Sequence, residues 1–192
     1  MITKWILILC LAAGAAPLLH AQAYPTEEKA GELQAGAAFA IAKPSYVSNY
    51  FFGPAIYASF DFRDHIGIQF DFHYLSNSSA DPLLTEHSYA IGPRYVWHRG
   101  RFDPYVKLQY GRGVFNFSSL NCSSGTQCSY QTTANLAYNM FAMGGGVDFH
   151  LKPNLNLRLA DFQYEDWLSF PSSGGAGLTP MVLTTGVAYH FH

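Results

Sequence analysis

Three sets of residues in this chain could do chemistry. Cys122 and Cys128, five residues apart, could close a disulfide; with no histidine near them in sequence, their spacing suits zinc poorly. His73, His98 and His190 could ligate a metal, imidazole being a common ligand, but hydrogen-bonded interior histidines explain them more simply. The third set is electrostatic: Glu32, Asp71 and Asp148 against Arg94, Lys107 and Arg158. Three acids and three bases can neutralise one another if they are brought together away from water, which the cost of desolvating charge requires. No Gly-x-Ser-x-Gly elbow, His-Glu-x-x-His pair or phosphate loop accompanies them. Gly144-Gly145-Gly146 reads as a place where side chains are crowded or a strand bends.

The elements that must position these groups are strands. Apolar and polar residues alternate with period two. In residues 66–75, Ile66, Ile68, Phe70, Phe72 and Tyr74 share one face, and Gly67, Gln69, Asp71 and His73 the other. Eight such segments are predicted, at about 32–42, 52–62, 66–75, 87–98, 103–114, 136–149, 154–163 and 179–191. Each is near the length of a tilted membrane-crossing strand. Short turns at 63–65, 99–102 and 151–153 alternate with longer polar stretches at 43–51, 76–86, 115–135 and 164–178. That rhythm fits an all-β, eight-stranded antiparallel up-and-down transmembrane barrel with short periplasmic turns and longer outer loops. In strands 6 and 7 the alternation slips, with Tyr138 on the inner parity and Asp161 on the outer, which predicts a bulge near Ala160–Phe162.

Which face meets lipid follows from the other face. Glu32, Gln34, Asp71, Arg94, Lys107, Gln109, Asp148 and Arg158 are interleaved there with glycines. Such a face suits a narrow, filled, polar lumen, with Tyr57, Tyr105 and Arg94 pointing in. Aromatics gather near strand ends, as at the two membrane interfaces: Phe60, Phe62, Tyr95, Trp97, Phe149, Tyr189 and Phe191 on the short-turn side, and Phe52, Tyr74, Tyr89, Tyr110 and Trp167 on the other. Only 12% of the 192 residues are charged, and 11 Lys and Arg face 13 Asp and Glu. A nucleic-acid partner would want a basic surface, so none is expected, and neither is a cofactor. At the front, Lys4 precedes an apolar run from Trp5 to Leu19 and then Ala21-Gln22-Ala23. This is the pattern of a secretory signal peptide cleaved after Ala23, followed by a periplasmic segment 24–31 and a barrel domain 32–192.

The ending Thr184-x-Gly186-x-x-Tyr189-x-Phe191 resembles the C-terminal signal read by the bacterial barrel-assembly machinery, although His192 follows the last aromatic. With Tyr89-Ala90-Ile91-Gly92-Pro93-Arg94-Tyr95, Asp103-Pro104-Tyr105-Val106 and Gly144-Gly145-Gly146-Val147-Asp148, residues 30–192 resemble the bacterial outer-membrane β-barrel domain family. The resemblance implies an outer-membrane location, lipid around the barrel and the assembly machinery as a partner during biogenesis. The chain is expected to be a structural or surface-interaction protein with a plugged lumen and no catalytic residue, an unidentified surface ligand meeting loop 115–135. Three alternatives stand beside it: a narrow ion-conducting pore, a soluble periplasmic ligand-binding barrel, and an enzyme. The last rests on His73-Tyr74-Leu75-Ser76-Asn77 with Glu86, which is similar to the His-x-Ser-Asn stretch of outer-membrane lipid A deacylases. On a strand, however, residues three apart point to opposite faces, and Ser76 is read as already in a loop.

Overall fold

A computed structural model describes residues 31–44, 49–62, 65–77, 83–122, 128–168 and 180–191. They form eight strands: β1 (Glu32–Lys43), β2 (Phe51–Asp61), β3 (Ile66–Asn77), β4 (Leu83–Val96), β5 (Phe102–Cys122), β6 (Cys128–Lys152), β7 (Leu155–Trp167) and β8 (Met181–Phe191). Each pairs antiparallel with its sequence neighbours, and β1 pairs with β8 from Leu33↔Phe191 to Lys43↔Met181, so the sheet is a closed barrel. Closure removes the sheet edges that would otherwise leave backbone groups unpaired.

The barrel is inside-out relative to a soluble protein. Phe39, Ile56, Ile91, Leu108 and Met143 point outward and are each about half exposed, whereas Asp71, Arg94, Lys107, Asp148 and Arg158 point inward and are buried. A surface this apolar around the whole circumference has no favourable contact with water, which sets aside the soluble ligand-binding barrel. Outward aromatic pairs sit toward both ends: Tyr95 with Trp97 at 4.9 Å, Phe102 with Phe149 at 5.0 Å and Tyr189 with Phe191 at 4.9 Å near the short turns, and Tyr110 with Phe141 at 5.1 Å nearer the other end.

The strands differ from expectation mainly at one end. Residues 115–122 and 128–135 are strand, so the stretch read as loop 115–135 is a hairpin whose connection is only 123–127. Its Phe, Tyr and Thr residues favour extended chain. Likewise Ser76 and Glu86 lie within β3 and β4, and 164–167 within β7. Trp167 is not a girdle residue: it points into the lumen, 1% exposed, with its ring 4.6 Å from that of Phe115.

The irregularity in β7 is real and lies one residue earlier than predicted. Val147 pairs with Ala160 but Asp148 with Arg158, and on the other side Arg158 pairs with Gly186 but Asp161 with Thr184. Leu159 and Ala160 therefore both face outward. The Thr185 hydroxyl donates to the Arg158 carbonyl at 3.0 Å across the gap. The extra residue returns Asp161 to the interior, where unbroken alternation would have put it outside. Tyr138 keeps its inward parity and packs beside Phe115, Met140 and Trp167.

Candidate functional site: a charged lumen between two mouths

Inward positions of β3 to β7 bring the charged residues to one level of the lumen. Lys107 Nζ lies 2.8 Å from Asp71 Oδ2 and 2.8 Å from Asp161 Oδ2. Arg158 grips Asp148 through Nε at 2.9 Å and a terminal nitrogen at 3.2 Å, and reaches Asp161 at 3.2 Å. Arg94 completes the set, donating to Asp148 at 3.3 Å, Ser59 at 3.0 Å and Gln69 at 3.3 Å. Gln69 and Gln109 each donate to Asp71, and the Tyr105 hydroxyl donates to Asp161 at 2.6 Å. Tyr57 lies flat under Arg158, 3.6 Å from ring centroid to guanidinium carbon. Three acids and three bases thus neutralise one another through charge-assisted hydrogen bonds, which is what lets buried ions be tolerated; Asp161 Oδ1 and Arg94 Nε make no hydrogen bond among the described residues.

Two glycines make room for the tyrosines. A Cβ at Gly36 would stand 2.5 Å from Tyr57 Cζ, and one at Gly146 would stand 2.7 Å from the Tyr105 hydroxyl.

Five of the six charged residues expected in the lumen meet here, but Glu32 does not. It starts β1 at the short-turn mouth, partly exposed, with its carboxylate 3.3 Å from His190 Nε2. Asp161 holds the place expected of Glu32, and sequence parity missed it because of the bulge. His73 and His190 are buried as expected. His98 is not: it lies beyond the end of β4, about half exposed, with Nδ1 3.2 Å from Asp103 Oδ1. Thr184 points inward, Gly186 faces the β1 backbone, and Tyr189 and Phe191 meet edge to face outside. Cys122 and Cys128 are directly opposed in the β5–β6 register; their side chains lie outside the described residues, as do Ala21 and Ala23.

A second polar group lies nearer the hairpin end. Glu165, fully buried, accepts from Gln163 at 2.8 Å and from the Trp167 indole at 3.0 Å, and Ser88 donates to it at 3.4 Å. His73 Nδ1 is 3.3 Å from Ser88 Oγ and 3.7 Å from Glu165. In a serine triad the serine and the acid occupy opposite ring nitrogens; here both crowd Nδ1. Ser76 pairs with Phe52 and Thr85 and sits on the opposite parity to His73. Glu86 is 1% exposed, with no hydrogen-bond partner for either oxygen among the described residues. Reading 76–86 and 164–178 as loops hid this group.

At the two ends the lumen opens differently. At the short-turn end lies a cavity of about 230 Å³ bounded by Gln34, Asp61, Arg94, Asp103 and Asn156, among others. At the other end the β5–β6 hairpin projects past its neighbours: β4 accompanies β5 only as far as Leu83↔Ser118, and β7 accompanies β6 only as far as Trp167↔Met140. Among the described residues, no strand pairs with the free side of β6 over 128–138. From Gly113 to Val147 the sequence holds no Asp, Glu, Lys, Arg or Pro.

Solved barrels share this architecture. The attachment invasion locus protein of Yersinia pestis, Ail, is 18% identical, covers 84% of this chain and 97% of its own, and superposes with a TM-score of 0.55; it is also known in complex with the heparin analogue sucrose octasulfate. Neisserial surface protein A is 19% identical with a TM-score of 0.60, over 84% of this chain and 97% of its own. OprG of Pseudomonas aeruginosa is 15% identical with a TM-score of 0.57, over 86% and 98%. At these identities the likeness is one of fold. No curated protein matches the chain in sequence. The family described as "Outer membrane protein beta-barrel domain" matches residues 6–191, nearly the whole chain, and the chain belongs to that family.

Proposed function

We propose that this chain is a surface-interaction barrel of the bacterial outer membrane: the charged lumen fills and stiffens it, and the β5–β6 hairpin meets an extended segment of a partner by adding a strand. The observation that carries the reading is the side of β6 over 128–137 with which no strand pairs among the described residues. Proteins ordinarily guard a projecting sheet edge with Lys, Pro or an inward charge. Residues 113–147 contain none of these, so main-chain donors and acceptors are left in a form that strand addition uses. The same lack of charge argues against a sulfated-sugar ligand on the hairpin such as the one Ail is seen with.

The ion-conducting alternative is weaker, because six interlocked charges and the Tyr57 and Tyr105 rings occupy a lumen that eight strands make only wide enough for side chains. The deacylase alternative lacks a serine and acid on opposite nitrogens of His73. The rest of the reading is export by residues 1–23 with cleavage after Ala23, insertion by the assembly machinery through Thr184, Gly186, Tyr189 and Phe191, and a Cys122–Cys128 bridge at the hairpin tip. Directly opposed residues of an antiparallel pair lie about 4.5–5.5 Å apart at Cα, within the range a disulfide spans.

The test compares bacteria displaying the natural chain with bacteria displaying Asn135→Lys plus Ala137→Lys. Both should show no stepwise conductance when the proteins are placed in planar bilayers. Adhesion to epithelial monolayers and cell–cell aggregation should fall in the variant at equal surface levels. Equal adhesion would sink the hairpin reading, and well-resolved conductance steps would restore the pore.

A further inference from the structure

The exterior of the barrel is charged unevenly. At the short-turn end Arg99, Arg101 and Lys152 are exposed, and among the described residues there no acid is. The acids described at that end are Glu32, Asp61 and Asp103, half-buried or buried at the mouth of the lumen. Glu32 faces His190, Asp61 faces Arg94 at 4.0 Å, and Asp103 is flanked by His98 at 3.2 Å and His150 at 2.5 Å. Among the described residues, Arg99, Arg101 and Lys152 make no ion pair with any of them. The remaining short turn holds Arg63, Asp64 and His65, whose first two charges cancel in sequence.

Two turns hold the three cations in place. Arg99 and Phe102 exchange backbone hydrogen bonds at 3.0 and 3.2 Å around Gly100 and Arg101, and Gly100 has the positive φ, 69°, that such a two-residue loop requires. The His150 N–H donates to the Arg101 carbonyl at 2.9 Å, tying this turn to β6 two residues before Lys152. Lys152 pairs with Leu155 across the next turn, whose Asn154 carbonyl accepts from the His190 N–H at 3.0 Å. The backbones carrying the cations are thus fixed before any partner arrives, which lowers the cost of binding one. The same strand ends expose Trp97, Phe102 and Leu151 on the lipid-facing side, at the level where aromatic rings meet headgroups.

We infer that these turns form a binding site for an anionic phospholipid of the leaflet on the short-turn side, its phosphodiester held by Arg99, Arg101 and Lys152 and its acyl chains lying against Trp97, Phe102 and Leu151. Guanidinium groups match phosphate oxygens two at a time, and lysine adds a point charge. A soluble anion would use the cations and leave the apolar border untouched. The opposite end does not repeat the arrangement: exposed Lys43 and Arg112 stand apart on β1 and β5, and exposed Asp166 shares that end. The site rests on the barrel's place in a membrane and not on the hairpin.

Trp97 reports on the site directly. A chain carrying Trp5→Phe and Trp167→Phe keeps Trp97 as its sole tryptophan. It is folded into phosphatidylcholine bilayers containing a minor share of phosphatidylglycerol with brominated acyl chains, and quenching of Trp97 by bromine measures occupancy. Brominated phosphatidylglycerol should be preferred over brominated phosphatidylcholine at the same mole fraction by about fivefold or more at low salt. Arg99→Gln, Arg101→Gln and Lys152→Gln should each lower that preference about two- to fivefold, and the triple substitution should abolish it. Lys43→Gln with Arg112→Gln, which removes charge at the opposite end, should leave it unchanged. Heat-dependent gel mobility confirms that each variant remains a barrel. Equal quenching by the two lipids, or an undiminished preference in the triple variant, would overturn the proposal. So would an equal loss in the Lys43 and Arg112 variant, which would trace the preference to net charge alone. Relief of quenching by soluble glycerol phosphate would mean that the cations hold phosphate without its chains, and the lipid assignment would fail.

Discussion

Arg158 touches Asp148 through two nitrogens and Asp161 through a third, over the face of Tyr57, and is 1% exposed. Replacing it with methionine would keep much of the volume and remove the charge. Asp148 would keep only its 3.3 Å contact with Arg94, and Asp161 would keep Lys107. Removing one partner of a buried pair is costly, because the remaining charge stays desolvated; the loss is about 3–5 kcal/mol. Arg158→Met should therefore lower the unfolding free energy by about that much in a urea titration from lipid vesicles, and an unchanged midpoint would contradict the network. Arg94→Leu should act in the same direction. Glu32→Gln, at the partly exposed mouth, should shift stability by less than about 1 kcal/mol.

Among the elements, the strands were legible wherever one face meets lipid and the other the lumen, since that contrast produces the period of two. In 66–75 the prediction and β3 agree to within two residues. Legibility faded where the surroundings on the two faces become alike. Ser118, Asn121, Gln131 and Thr132 give the projecting part of the hairpin no apolar face to read, so strand there looks like loop. Asp161 was misplaced because a single extra residue at Leu159–Ala160 inverts every assignment after it. Parity does not place Glu86, Glu165 and Trp167 in the lumen, because the segments holding them read as loop and Trp167 reads as a girdle aromatic. The hairpin also permits a cut that separates its role from that of the barrel. Ser118 pairs with Thr132 just beyond the register shift at Phe117, and nothing from 119 to 131 pairs with β4 or β7. Replacing Ser119–Gln131 with a short turn should leave membrane insertion and heat-dependent mobility intact while reducing hairpin-dependent adhesion, because it removes the outermost part of the β6 edge. Failure to insert would mean that the hairpin belongs to the folding unit.

For the whole molecule, the decisive property is that its solvation is reversed and its backbone closed. The apolar belt of Phe39, Ile56, Ile91, Leu108 and Met143 has no aqueous counterpart, and the β1–β8 seam leaves no edge at membrane depth. Detergent can replace lipid around such a belt without competing for the sheet's hydrogen bonds, which are satisfied internally. Opening the barrel would also expose the lumen charges to an apolar surround before water reached them, so unfolding should be concerted and slow below some threshold temperature. The chain should therefore fractionate with the outer membrane and run on gels at one mobility when unheated in detergent and at another after boiling. Arg158→Met, with a weakened lumen, should make that shift at a lower temperature than the natural chain, which ties the gel behaviour to the interior network and not to the belt alone. A chain recovered in the soluble periplasmic fraction with no heat-dependent shift would overturn the lipid-facing assignment of the belt. A shift at the same temperature in both proteins would mean that strand pairing alone sets the barrier and that the charges only fill space.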